Sequence, residues 1–187
     1  MNTPNKLTLL RVILIPIFMV FYLLGHTWST AVALLVFIAA SVTDHFDGYL
    51  ARKNGQVTTF GKLMDPLADK LLVLSALICF LQRDIRFINA ALVVIILARE
   101  LIVTGFRMLA LGENKVIAAS MWGKAKTVSQ MTLVIGVMVF EIFVSFVPGA
   151  SVICDIITLV FVILAAILSI YSGFDYIWKN KDILTFK

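Results

Sequence analysis

Six long apolar runs, separated by short polar breaks, dominate the pattern along the chain. They cover residues 7–24, 28–43, 66–81, 87–111, 127–147 and 151–178. Breaks fall at "GHTWS", across residues 43–70, at "QRDIR", at "LGENKVIAASMWGKAK" and at "VPGAS". Several runs approach or exceed the roughly 20 apolar residues that a helix needs to cross a bilayer. No ten-residue alternation of the barrel type is present, and an open sheet cannot satisfy its backbone groups in lipid. The pattern predicts an all-α fold, an integral membrane bundle of six transmembrane helices. No internal repeat or low-complexity tract divides the chain, so residues 1–187 read as a single transmembrane domain.

Composition strengthens that reading. Of 187 residues, 61% are hydrophobic and 14% charged, with a mean hydropathy of +1.01. A soluble domain is nearer half apolar and a quarter charged. Cys79 and Cys154 both fall inside apolar runs and read as small core residues, not as a disulfide or metal pair. "MNTPNK" lacks the basic stretch of a cleavable signal, so none is expected.

Basic residues orient the bundle. With the N-terminus cytoplasmic, Lys6, Arg11, Arg52, Lys53, Lys62, Lys70, Arg107, Lys115, Lys124, Lys126, Lys179, Lys181 and Lys187 fall on or near the cytoplasmic side. Arg83 and Arg86 fall on the far side, and Arg99 lies within the fourth run. This asymmetry follows the positive-inside rule, and six spans place both termini in the cytoplasm. The expected location is the cell (cytoplasmic) membrane. Nothing in the chain calls for a nucleic-acid partner.

The segment "TDHFDGYLARKNGQVTTFGKLMDPLADK", residues 43–70, carries the chemistry. Asp44 and Asp47 are three apart at the inner end of the second run; Asp65 and Asp69 are four apart at the start of the third. On a helix each spacing puts its pair on one face, where like charges repel. A bound cation resolves the repulsion. Oxygen ligands alone favour Mg²⁺ or Mn²⁺ over softer metals, with Ca²⁺ a weaker candidate. Two such pairs could hold two ions, an arrangement suited to displacement at phosphorus. The plainer reading is solvated carboxylates at helix ends, which suits Asp65 but not Asp44 and Asp47, at the disfavoured C-terminal end. Gly48, Ala51 and Gly61 form a row of small residues that allows close approach of helices or of a ligand. Arg52 is near enough to reach a phosphate held between the helices.

The pattern Asp44-x2-Asp47-Gly48-x2-Ala51-Arg52-x8-Gly61-x3-Asp65-x3-Asp69 resembles the signature of the CDP-alcohol phosphotransferase family at every fixed position. His45 and Phe46 occupy variable positions. The resemblance extends to the six-span layout and the length. It implies transfer of a phosphatidyl or similar group from a CDP-linked donor to an alcohol, with release of CMP. It implies that Asp44, Asp47, Asp65 and Asp69 are at the metals, and that Asp69 is the catalytic base. It further implies that Gly48, Ala51 and Gly61 line a cytidine pocket, that Arg52 binds donor phosphate, and that the protein is a homodimer. A donor such as CDP-diacylglycerol keeps its head at the cytoplasmic interface and its chains among membrane lipids, so a site at the inner helix ends meets both.

The acceptor is read from other charges. Arg99 and Glu100 lie about halfway along an otherwise apolar run. Being adjacent, they point about 100° apart and cannot both face one partner helix. Arg107, eight residues beyond Arg99, shares nearly its face, and Lys124 and Lys126 lie where the fifth run begins. This basic set suits a ligand with a second phosphate. The alternative for Arg107, Lys124 and Lys126 is contact with lipid phosphates at the interface.

These segments, with "TPNKLTLLR" at the N-terminus, resemble the phosphatidylglycerophosphate synthase branch of the family, whose acceptor is glycerol 3-phosphate. Thr3 or Asn2 would cap the first helix ahead of Pro4. Asn5, Thr8 and Arg11 would share one face at the edge of the nucleotide pocket. Two other readings stay open. One keeps the chemistry with serine, inositol phosphate or another polyol phosphate as acceptor. The other is a divalent-cation channel or transporter, against which stand the clustering of carboxylates at one face and the spacing of Gly48, Arg52 and Gly61. Glu141 and Asp155 are expected to meet solvent or a neighbouring helix, and Trp28, Trp122 and Trp178 to lie near the interfaces.

Overall fold

A computed structural model describes the backbone of residues 3–53, 59–112 and 120–180, and the side chains of 9–43, 68, 70–110 and 120–180. The regular structure among them is helical: α1 (Thr3–Leu23), α2 (Thr27–Lys53), α3 (Thr59–Gln82), α4 (Ala90–Gly112), α5 (Met121–Phe146) and α6 (Ser151–Lys179). A 3-10 turn, Pro148–Ala150, joins the last two.

The helices do not all stop where the apolar runs stop. α2 continues to Lys53 and α3 already begins at Thr59, so most of the polar segment between those runs is helix. Charged side chains end a hydropathy signal without ending the backbone hydrogen-bond ladder. α5 likewise starts at Met121, ahead of the run at 127–147, because Ser120 caps it: its Oγ accepts the Gly123 N–H at 3.0 Å. α4 starts later than the run at 87–111, at Ala90. Phe87 has φ 69°, and Asn89 Oδ1 accepts the Leu92 N–H at 2.9 Å. α3 ends in a Schellman motif: the Ile85 N–H bonds the Phe80 carbonyl and the Asp84 N–H bonds that of Leu81. Asp84 fills the left-handed position, φ 52°, usually held by glycine.

The core runs through all of α1 to α6. Phe18 packs on Phe37, with ring centroids 5.6 Å apart, and Tyr22 meets Phe80 edge-on at 5.1 Å. α1 packs along α2 and α3, α5 along α6 and α2, and α4 leans on α6. The three short connections, α1 to α2, α3 to α4 and α5 to α6, gather at one end of the bundle. There Tyr22 donates to Glu141 Oε2 at 2.5 Å, Arg83 pairs with Glu141 Oε1 at 3.1 Å, and Arg86 pairs with Asp155 at 2.5 Å. Glu141 and Asp155 therefore meet neighbouring segments.

α6 is turned inside out relative to a soluble helix. Ile153, Ile156, Val160, Ile163, Ile167 and Ile170 are exposed, whereas Thr158, Ser169, Ser172 and Gly173 are buried. Small and polar residues inside with bulky apolar ones outside mark a helix in lipid. Met121–Phe146 and Pro148–Lys179 are long and apolar enough to cross a membrane, and only 28% of each apolar window is buried. The core helix of a soluble protein would be mostly buried, so this is the outward surface of a membrane protein.

Candidate active site

The signature residues lie on two helices joined by a short connection. Asp44, Asp47, Gly48, Ala51 and Arg52 are backbone positions of α2, and Gly61, Asp65 and Asp69 of α3. Helical backbone at these positions gives each aspartate pair its i, i+3 or i, i+4 spacing on one face, and α2 packs against α3. The side chains of these eight residues lie outside the described residues, as do those of Asn5 and Thr8 in α1. Among the described residues no group of three or more possible metal ligands occurs. The donor set itself, four carboxylates and nothing softer, fits a hard divalent cation.

The four other predicted site residues come together. A cavity of about 510 Å³ lies between α3, α4 and α5, walled by Lys70, Arg99, Glu100, Arg107, Lys124 and Lys126. Lys70 was not anticipated, although its place beside Asp69 at the inner end of α3 is the signal that could have found it. Lys124 is exposed; Arg99, Glu100 and Lys126 are buried.

Each buried charge is held by a different helix. Arg99 points to α6, where its Nε donates to Ser172 Oγ at 3.1 Å. Glu100 points to α5, where its Oε1 accepts from Lys126 Nζ; Arg99 reaches the same oxygen at 3.5 Å. The divergence expected of adjacent helical residues is thus realised. Lys126 also lies 3.4 Å from Gln130 Oε1. Two cations sharing one carboxylate keep three charges tolerable away from water, where any one alone would be costly.

α6 supplies what hydropathy concealed. Ser172 and Gly173 form a notch for the Arg99 stem; a Cβ on Gly173 would lie 3.0 Å from Arg99 Cγ. One turn further on, the Arg107 guanidinium lies over the Tyr176 ring, 5.7 Å from its centroid. A small or aromatic residue inside a run as apolar as 151–178 reads as span bulk until the facing helix is known. Beneath the large cavity, a space of about 20 Å³ reaches Gln130, Glu100 and Lys126, room for about one water.

A site with five cationic side chains around one carboxylate is suited to a phosphorylated ligand, and it adjoins α3, the helix that carries Asp65 and Asp69. A family model described as "CDP-alcohol phosphatidyltransferase" matches residues 1–171. A Bacillus subtilis protein named CDP-diacylglycerol–glycerol-3-phosphate 3-phosphatidyltransferase is 41% identical, covering 98% of this chain and 97% of its own. A protein of the same name from Haemophilus influenzae is 38% identical, covering 98% of this chain and 95% of its own. Another so named, from Yersinia enterocolitica, is 34% identical over 96% and 97% of the two chains. With the signature, the helical layout and this near full-length similarity in agreement, the chain belongs to the CDP-alcohol phosphatidyltransferase family.

Proposed function

We propose that the chain transfers the phosphatidyl group of CDP-diacylglycerol to glycerol 3-phosphate, giving phosphatidylglycerophosphate and CMP. The observation that carries this choice of acceptor is the cationic cavity beside the motif helix α3. A neutral or zwitterionic acceptor has no use for five cations, whereas a phosphate monoester meets bidentate guanidinium forks and lysine point charges together. The names of the three relatives support the same substrates.

In this reading Asp44, Asp47, Asp65 and Asp69 hold Mg²⁺ or Mn²⁺, two ions. Bound there, such ions supply charge neutralisation at the donor pyrophosphate. Arg52 binds donor phosphate, and Gly48, Ala51 and Gly61, with Asn5 and Thr8 at the edge, leave room for the nucleotide. Asp69 takes the proton of the attacking hydroxyl as that oxygen bonds to phosphorus and CMP departs. Arg99, Arg107, Lys124 and Lys126 hold the acceptor phosphate and bring the hydroxyl within reach. The whole of 1–187 forms one domain of six spans, with both termini and the site at the cytoplasmic face of the cell membrane, working as a homodimer.

The test is CMP release by purified protein in detergent with CDP-diacylglycerol, Mg²⁺ or Mn²⁺, and a panel of alcohols. Release with glycerol 3-phosphate that chelator and Asp69→Asn both abolish is expected. Release only with serine or another alcohol would overturn the acceptor assignment and keep the chemistry. Undiminished release in chelator would remove the metals.

A further inference from the structure

The cavity is asymmetric in its hydrogen-bonding capacity. Lys70, Arg99, Arg107, Lys124 and Lys126 carry only donor atoms at their charged ends, and Glu100 is the only anionic side chain on the wall among the described residues. The two wall threonines already donate inward, Thr104 to the Glu100 carbonyl at 2.6 Å and Thr127 to the Gly123 carbonyl at 3.1 Å. A phosphate alone needs donors and would be served better with no carboxylate present. A hydroxyl is different: its proton needs an acceptor, and beside the neutral Thr104 and Thr127 hydroxyl oxygens Glu100 is the one charged acceptor on the wall among the described residues. The contacts that Glu100 makes with Lys126 and Arg99 both fall on Oε1.

We propose that Glu100 is the specificity-determining residue of this pocket, its Oε2 accepting a hydrogen bond from the acceptor hydroxyl that does not attack. The proposal rests on the glycerol 3-phosphate reading above. That molecule carries a phosphate, a terminal hydroxyl for the transfer and a middle hydroxyl left over. Arg99, Arg107, Lys124 and Lys126 take the first, the aspartate site the second, and Glu100 the third. The ion pairs serve the same end: Lys126 and Arg99 fix the carboxylate on the wall, so that a donor arriving from the cavity finds its acceptor in place.

The experiment compares kcat/KM for glycerol 3-phosphate with that for 3-hydroxypropyl phosphate, which has the phosphate and the attacking hydroxyl but lacks the middle one. CMP release from CDP-diacylglycerol is the readout. The intact protein is expected to favour glycerol 3-phosphate by at least roughly tenfold, as for one hydrogen bond to a charged group. Glu100→Met, which has no strong acceptor, should bring the ratio near one. Glu100→Gln, whose amide oxygen still accepts, should fall between. A ratio is insensitive to uniform loss of activity. An unchanged ratio in Glu100→Met overturns the proposal and leaves Glu100 as an ion-pair partner only. If the variants fail to fold, the unaltered protein decides alone: a ratio near one overturns it. Turnover of neither phosphate, with turnover of another alcohol, overturns the acceptor reading and the proposal together.

Discussion

Adding one methyl group at Gly173 tests whether Arg99 is set by α6. In Gly173→Ala the new Cβ lies 3.0 Å from Arg99 Cγ and 3.9 Å from Arg99 Cβ. The first is tighter than an ordinary carbon contact, so the arginine stem must give by a few tenths of an ångström. It cannot retreat freely: Nε is bonded to Ser172 and NH1 leans on Glu100. The displacement passes to the guanidinium or to the spacing of α4 and α6. Overpacking of this kind costs about 1–3 kcal/mol of stability. A misplacement of about 1 Å at a positioning group can cost on the order of 10²-fold in rate. The shift here is a fraction of that, so we expect kcat/KM for glycerol 3-phosphate to fall by roughly several-fold to tenfold, with KM for CDP-diacylglycerol little changed. The assay is CMP release with each substrate varied in turn, beside a thermal melt. Gly105→Ala is the control, since a Cβ there meets nothing within 4 Å and alanine is the better helix former. An unaltered acceptor KM in folded Gly173→Ala would refute the placement of Arg99 in the acceptor pocket. Equal changes in both KM values would show that the methyl disturbs the bundle as a whole.

Three further outcomes are expected. Glu100→Gln leaves the buried Lys126 and Arg99 short of their counter-charge and should lower stability by about 3–5 kcal/mol; the paired change Glu100→Met with Lys126→Met should recover much of the melting temperature but not acceptor use. Gly136→Ala would set a Cβ 2.8 Å from Phe161 Cε2, so the melt should drop by the equivalent of about 1–3 kcal/mol with both KM values intact. Tyr22→Phe strips one hydrogen bond from the half-buried Glu141, costing about 1–3 kcal/mol in a denaturation series; because that cluster lies at the opposite end from the site, kcat should hold.

The count of six helices was legible because each carries a long apolar stretch set off by polar breaks. The boundaries were less so. The second run fades at Thr43, where aspartates begin, yet α2 continues to Lys53, since hydropathy measures transfer to lipid and not helix formation. Phe87 counted as apolar span, but its backbone is left-handed and Asn89 caps the helix that follows. Within the site, the 100° turn between Arg99 and Glu100 fixed that they part company. It did not name α6 and α5 as their destinations, which follows from packing between distant segments. Ser172, Gly173 and Tyr176 stayed hidden for the same reason: their role exists only opposite α4.

Arg99, Glu100 and Arg107 give α4 a peculiar biogenesis. In the six-span arrangement proposed above, this helix is synthesised before either helix that completes its charges. Ser172 lies 73 residues after Arg99, and Lys126 lies 26 after Glu100. Each such group costs about 2.5–3.5 kcal/mol at the centre of an inserting helix. Until α5 and α6 emerge, Arg99 and Glu100 have chiefly each other. In that proposed arrangement α4 is the last part of the growing chain to settle, and its final seating coincides with completion of the pocket it walls.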